Sequence, residues 1–458
     1  MKERMIVQQL RKFILEENYY RIIVLTGIRR IGKTTALLQI HESFPDSVYI
    51  DFSKEEAADK ICRFYENPCK LLLMDEITYE PDYIGLVRKI EAQSAELGYK
   101  AIITGSSSTH MMSMYGGPLG GGRSKLMRLS LLSFIEYLYF TDKIECYETD
   151  YIPSEDDFIS YLKLENLTEG LRLAIDSDYF RSFYSDIEMS NRNSSLVRSR
   201  LNLKEEDLSS LCDLLAYKLQ DDVTYRTFLN PVVGGRELTP MQRRTADLSD
   251  SFLNQSVLYA RNITPESKAR TLSFLLKAGL AYADIPYEYK ERRNPSDLIL
   301  SLDNVSKQRD LEDIFIDYNI CMVSPLLYTR LGEDILRKAG VNLDFLYKPN
   351  IVGMMLELYV KGSNALYRNN WNLYSYKIGI GRNEVDLVDL ESNLLCEVTV
   401  SDKRLSDVNL GQHFTDLPVL RVLSTKTVND EINGIHRITY PKLCKMMDNK
   451  SVYNLKPL

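Results

Sequence analysis

The octet Gly27–Thr34, GIRRIGKT, constrains this chain more than any other stretch. An apolar run before it, Arg21–Thr26 (RIIVLT), reads as a buried strand, and Thr34–Ser43 after it has helical spacing. Strand, glycine loop and helix, in that order, form the context in which such a pattern carries structural meaning. A glycine at each end lets the loop curl so that successive backbone N–H groups face inward. The helix N-terminus adds a partial positive charge, so the cradle suits a nucleotide's phosphates. Lys33 supplies a mobile cation for the outer phosphates, and Thr34 a hydroxyl for Mg²⁺. The residues expected at the nucleotide are Gly27, Arg30, Gly32, Lys33, Thr34 and Thr35. Arg29 and Arg30 either add charge to the site or face solvent.

A second motif supplies the cradle's partner. In LLLMDE (Leu71–Glu76), four apolar residues make a strand, and two carboxylates emerge at its C-terminal end. Open α/β sheets bind ligands at that edge. Asp75 is expected to hold Mg²⁺ through water, and Glu76 to act as general base toward a water attacking the γ-phosphate. The next strand ends in TGSSS (Thr104–Ser108), whose hydroxyls suit either the orientation of that water or a helix cap. Ser106 is the candidate, not separable from Ser107. Arg123 follows the glycine loop Gly116–Gly122. It reads either as a cation reaching the γ-phosphate of its own or a neighbouring subunit, or as a solvated surface arginine.

Four apolar runs, Arg21–Thr26, Ser47–Phe52, Lys70–Met74 and Lys100–Thr104, alternate with helical segments at Thr34–Ser43 and Tyr83–Glu96. That alternation implies a parallel sheet covered on both faces. Leu126–Leu132 reads as a further strand and Ser133–Tyr139 as the start of a helix. Glu145–Asp157 reads as an acidic surface connection. Residues 158–290 read as mostly helical. Asn202 with Glu205 caps a helix through Leu219, and Thr264-Pro265 starts another that ends at Gly279 before a strand at Leu280–Ile285. This pattern fits a winged-helix module or a generic helical lid. Mixed α/β character returns from about 300, with a helix at Ile351–Leu366 and strands Glu384–Asp389 and Leu394–Val400 joined by a turn at Glu391–Asn393. The expected division is 1–142, 143–300 and 301–458.

With 458 residues and 44% apolar content, there is material for more than one core. A net charge of −7 argues against a protein that coats nucleic acid. Seven dispersed cysteines without a C-x-x-C pair read as reduced thiols, and four histidines without H-x-x-x-H spacing disfavour zinc. The amphipathic N-terminus (Met5, Ile6, Leu10, Phe13, Ile14) is unlike a signal peptide. No apolar run is long enough to span a bilayer, so the cytoplasm is the expected location.

GIRRIGKT, LLLMDEI, ITGSS, Gly121-Gly122-Arg123 and LSLLSFIEYL (Leu129–Leu138) together resemble the prokaryotic AAA-type ATPases of the STAND-related archaeal-ATPase group. The resemblance covers roughly residues 1–140. It implies an α/β fold: a P-loop NTPase parallel sheet with helices on both faces, then a mainly helical region and a small mixed α/β domain. It also implies ATP and Mg²⁺ as cofactors, and a core of the additional-strand, catalytic-glutamate type. No N-K-x-D motif follows, which disfavours GTP. Many members carry a C-terminal domain similar to PD-(D/E)XK nucleases, with a helical Glu, an E-[VI]-D step and an E-V-K step. The positions that match are Glu357, Glu384-Val385-Asp386 and Glu397-Val398-Thr399. The resemblance implies that Asp386 and Glu397, on adjacent strands of a hairpin, share a divalent metal, with Glu357 the third family position. Thr399 replaces the expected lysine, however, with Lys403 four residues on. The favoured reading is a nuclease-like fold kept for packing or binding, its carboxylates facing solvent. The favoured expectation is an ATPase switch that moves the C-terminal region. The alternatives are an ATP-regulated DNA nuclease and an ATP-holding interaction protein. A homo-oligomer and a protein or DNA partner are compatible with each; no membrane partner is expected.

Overall fold

A computed structural model describes residues 2–17, 19–27, 31–105, 111, 124–167, 264–287, 295–327, 329, 342–367, 374–378, 385–402 and 419–455. These fall into two compact units, one built from residues 2–132 and the other from 133–167, 264–276 and 280–455. The helix expected at Asn202–Leu219, and with it most of the winged-helix or lid region, lies outside the described residues, as do Ser106–Ser108, Gly116–Arg123, Glu384 and Lys403.

The first unit is a five-stranded parallel sheet. Its strands are β1 (Ile22–Thr26), β2 (Ser47–Asp51), β3 (Leu71–Asp75), β4 (Lys100–Thr104) and β5 (Ser124–Arg128), in the order β2-β3-β4-β1-β5. Every residue of β1, β3 and β4 is buried, as expected of strands covered on both faces. Helices α1 (Met5–Glu16), α2 (Lys33–Ser43), α3 (Ala57–Glu66) and α4 (Tyr83–Leu97) supply the cover. On one face Val24, Leu72, Met74 and Ile103 pack with Ile61 and Phe64 of α3 and Val87 and Ile90 of α4. Helix α2 packs against β2 and β3, and α1 against α2. This is the P-loop NTPase arrangement. Helix α3 goes beyond the sequence reading, although Ala57, Ile61 and Phe64 have helical spacing and form its buried face. Strand β5 starts two residues earlier than expected because its one neighbour, β1, sets its register, with Ser124 opposite Ile22.

Capping chemistry sets the ends of α4. The Asp82 carboxylate accepts the Gly85 N–H at 3.1 Å, and Gly98 closes the helix at φ +78°. Lys100 caps α1 from across the sheet. Its buried ammonium donates to the carbonyls of Phe13 (2.8 Å) and Ile14 (2.7 Å), a cation against a helix C-terminus.

The second unit holds α5 (Phe134–Phe140), α6 (Glu155–Lys163), α7 (Pro265–Ala278), α8 (Pro295–Asp303), α9 (Gln308–Asp317), α10 (Pro349–Tyr367) and α11 (Tyr440–Asp448). Strands β6 (Ala281–Pro286), β7 (Asn319–Met322) and β8 (Tyr374–Lys377) form one sheet in the order β7-β6-β8. Strands β9 (Leu387–Asp389), β10 (Leu394–Glu397), β11 (Leu420–Thr425), β12 (Asp430–Ile432) and β13 (Ile435–Thr439) form another, in the order β12-β13-β11-β10-β9. The strand following Gly279 is thus the centre of a mixed sheet, antiparallel to β7 and parallel to β8. Asn393, at φ +52°, makes the turn between β9 and β10. Strand β10 stops at Glu397, three residues short of the expected end. The Val398 N–H goes to the Asp386 carboxylate at 2.6 Å and the Thr399 N–H to the Ser424 hydroxyl at 2.5 Å. The acidic connection also ends early, because Ser154 and Asp157 form a capping box that opens α6.

Phe134, Tyr137, Phe158, Tyr161, Tyr359 and Tyr440 pack in one aromatic cluster, mostly edge to face, which joins α5, α6, α10 and α11. Asp448 lies beside it, at the end of α11. Its carboxylate accepts the Tyr359 hydroxyl (2.6 Å) and the Ile135 N–H (2.9 Å), while the same hydroxyl accepts the Phe134 N–H (2.7 Å). Burial pushes the Asp448 carboxyl up to about 7, reinforced by Glu136 and opposed by Tyr359 and the backbone donors. Folded protein therefore binds this proton more tightly than the unfolded chain. The associated stability is fully present below 3.8 and is lost as pH rises through about 7. Melting temperatures measured between pH 5 and pH 8 should fall more steeply with pH for the wild type than for Asp448→Asn. Equal slopes would refute a buried, proton-binding Asp448.

Candidate nucleotide-phosphate site

Two glycines shape the loop after β1. A Cβ on Gly27 would meet the backbone carbonyl oxygen of Leu129 at 2.5 Å, a contact no flexible side chain can relieve. Gly32 has open space around it but sits at φ +102°, a conformation L-residues rarely adopt. From Gly32 the chain turns directly into α2. Lys33 is only 6% exposed, and its ammonium donates to the Gly27 carbonyl at 2.7 Å, closing the loop on itself. Thr34 and Thr35 lie exposed in the first turn of α2, where the backbone N–H groups have no intrahelical acceptor. Arg29 and Arg30 lie outside the described residues.

Sheet register brings the second motif to the same edge. Asp51 pairs with Asp75, Met74 with Ile103 and Leu25 with Thr104, so β1, β2, β3 and β4 end nearly level. Asp75, 2% exposed, accepts the Tyr49 hydroxyl at 2.9 Å and the Glu76 N–H at 3.0 Å, and the Thr34 side chain lies close enough to favour its charged form. Burial raises the Asp75 pKa. The Thr34 and Tyr49 hydroxyls pull it down, and the neighbouring Glu76 charge raises it again. Burial, followed by the Asp75 charge, raises the Tyr49 phenol, which therefore stays a neutral donor. Tyr49 is absent from the residues singled out by sequence. Its signal is parity: it lies two residues before Asp51, on the same side of β2, and Asp51 is level with Asp75.

Glu76 follows at φ +51°, ψ +38°, a left-handed conformation for a non-glycine residue, and leads into a short 3₁₀ turn at Ile77–Tyr79. That geometry costs about 1 kcal/mol per residue, and such outliers cluster at functional sites. At the same edge the hydroxyls of Thr26 and Thr104 are buried and make no hydrogen bond among the described residues. A buried hydroxyl left unsatisfied costs about 1–3 kcal/mol. Cation, exposed threonine hydroxyl, buried carboxylate and orphaned hydroxyls make a donor set that fits a magnesium-bound nucleotide. Ser106 and Arg123 lie outside the described residues, so their relation to this edge is not described.

The C-terminal carboxylates have different partners. Glu357 on α10 bonds the ammonium of Lys361 at 2.5 Å, and Lys361 also bonds Asp284 of β6 at 2.7 Å. The Ser375 hydroxyl donates to the other Asp284 oxygen at 2.8 Å. Lys361 and Asp284 are each 1% exposed. Burial works against the Lys361 charge, but Asp284, Glu357 and then Asp386 outweigh it, and its pKa rises. Asp386 is engaged by the Val398 N–H, and Asp386 and Glu397 both lie near enough to Cys396 to raise its thiol pKa, after burial. Among the described residues, no group of three or more His, Cys, Asp or Glu side chains is arranged to hold a metal ion. The Glu357–Lys361 spacing on one helix is readable in the sequence. Asp284, 77 residues before Lys361, is not.

A family model for an AAA domain (AAA_14) matches residues 19–138. No curated protein matches. Two solved structures are similar at low identity. AMPPCP-bound DnaA from Aquifex aeolicus is 13% identical, over 58% of this chain and 82% of that one, with a TM-score of 0.27. A DNA replication initiation factor is 14% identical, over 67% of this chain and 93% of that one, with a TM-score of 0.26. TM-scores this low establish no residue equivalence.

Removing Lys361 should leave Asp284 buried without its counter-charge. Lys361→Met is expected to destabilise the protein by about 3–5 kcal/mol, and Lys361→Met/Asp284→Asn by clearly less. Denaturant melts of the two variants check this; equal losses would contradict the pairing. Residues 19–138, which carry the glycine loop, Asp75 and Glu76, are thus similar to the AAA domain family.

Proposed function

We propose that this chain binds and hydrolyses ATP, and that its nucleotide state acts as a switch on the second unit. The observation that carries the reading is that Thr34, in the first turn after the glycine loop, lies close enough to Asp75, buried at the end of β3, to favour its charged carboxylate. That proximity supports reading the two motifs as the phosphate and magnesium halves of one site.

In this reading Gly27, Arg30, Gly32, Lys33, Thr34 and Thr35 hold the nucleotide. Lys33 exchanges the Gly27 carbonyl for phosphate oxygens. Magnesium, when bound, neutralises phosphate charge. Thr34 and Asp75 hold it, and Tyr49 fixes the Asp75 carboxylate. Glu76, aimed by its left-handed backbone, takes the proton from the attacking water. Thr104, with Ser106, orients that water, and Arg123 stabilises the charge that develops on the γ-phosphate. If Arg123 acts on a neighbour's nucleotide, the working form is a homo-oligomer. The cytoplasm is the assigned location; among the described residues no helix is long and apolar enough to cross a membrane. The second unit presents its surface to a protein or DNA partner. Glu357, Asp386 and Glu397 are assigned a structural role, because Glu357 is committed to Lys361 and Asp386 to the strand end. A nuclease is the weaker reading.

Lys33→Ala should abolish nucleotide binding. Glu76→Gln should keep it and lower turnover about 10²–10⁴-fold, the usual weight of a general base. Phosphate release and nucleotide titration measure the two effects. Unchanged release in both variants would sink the hydrolytic assignment.

A further inference from the structure

Arg4 lies just before α1, outside every motif discussed above. One guanidinium nitrogen donates to the Ile31 carbonyl at 3.2 Å. The other donates to the carbonyls of Ser130 (3.1 Å) and Leu131 (3.2 Å). A single fork thus grips the glycine loop and the segment that follows β5. The planar guanidinium holds several donors in one fixed fork, which suits it to bonding carbonyls of two separate segments at once.

The Ile31 carbonyl belongs to the peptide whose N–H is that of Gly32. No cis peptide occurs among the described residues, and in a trans peptide the C=O and N–H point in opposite directions. Holding the carbonyl toward Arg4 therefore turns the Gly32 N–H away from it, and Gly32 is where the loop becomes helix. Arg4 itself is well anchored. Ile6, Val7, Leu10 and Phe13 of α1 are buried, the Val7 N–H bonds the Arg4 carbonyl at 2.9 Å, and Lys100 holds the helix's far end. A second tie runs parallel to the first. The Leu129 N–H donates to the Thr26 carbonyl at 2.8 Å, and the Leu129 carbonyl closes over Gly27.

We infer that Arg4 is a positioning residue for the phosphate site. It orients the Ile31–Gly32 peptide so that the Gly32 N–H serves the nucleotide's phosphates, and it ties the loaded loop to Leu129–Leu131. The chain enters the second unit at Ser133, two residues after Leu131. The clamp therefore places the phosphate loop next to the covalent exit from the ATPase core. This inference rests on the reading of Gly27–Thr34 as a phosphate cradle.

The test uses the full-length chain, with calorimetric titration of Mg-ATP and of ADP well below each variant's melting temperature. Arg4→Met should weaken both nucleotides about tenfold, the weight of a lost charge-assisted hydrogen bond. Arg4→Lys, which keeps the cation without the fork, should recover part of the loss. A purely structural brace would lower the melting temperature and leave affinity in the folded protein unchanged. That result, with Lys33→Ala unable to bind, would overturn the role of Arg4. A second measurement needs no variant. Saturating wild type with Mg-ATP should slow amide hydrogen exchange across residues 129–133, and unchanged exchange there would overturn the clamp. If Lys33→Ala binds ATP as well as wild type does, it is the cradle reading that falls.

Discussion

The approach of Thr34 to Asp75 depends on a distant constraint: β1 and β3 must end level although β4 lies between them. Parallel pairing on both sides of β4 enforces this, through Leu25 opposite Thr104 and Met74 opposite Ile103. A slip of one residue in either ladder would move Asp75 away from the loop and turn its side chain to the other face. The three central strands are buried on both faces along their whole length, so a slip would also displace their side chains from their packing against the covering helices. The position of Asp75 beside the glycine loop is thus set largely by apolar residues such as Leu25, Met74 and Ile103.

That edge stores unfavourable free energy which the sheet and helices offset. Asp75 is buried with a raised pKa, Glu76 has a left-handed backbone, and Thr26 and Thr104 bury hydroxyls that make no hydrogen bond among the described residues. Each of these features is costly in an isolated fold, and strained or unsatisfied groups of this kind cluster at functional sites. Arg4 and Lys100 work at opposite ends of α1. One cation faces loop carbonyls and the other the carbonyls of the helix C-terminus, so a single helix sets the geometry of the loop.

In the second unit, charge is buried for a different purpose. Lys361 neutralises Asp284 at the centre of a mixed sheet while bonding Glu357 one turn away on its own helix. Such a triad contributes little net stability compared with a well-packed apolar core, but it is costly to break and it fixes which strand faces which helix. Asp448 does the same for the start of α5, with Tyr359 as intermediary.

Local chemistry made much of this legible. The glycines at 27 and 32, the acid pair after four apolar residues, the Asp82 and Gly98 boundaries of α4, Pro349 at the start of α10 and the Asn393 turn each follow from a preference of the residue itself. Helix α3 was readable from the helical spacing of Ala57, Ile61 and Phe64, which form one apolar stripe in a short, charge-rich segment. What the sequence could not supply are the pairings between elements far apart in the chain. Tyr49 reaches Asp75 across a ladder, Lys361 finds Asp284 at a separation of 77, and Arg4 meets Ser130 at a separation of 126. By itself the sequence determined the glycine loop, the parallel core and which acid stands at the strand's end, because periodicity and backbone preference are local properties. Only the tertiary structure decided what orients that loop and which charges neutralise one another, because strand order and helix docking choose those partners.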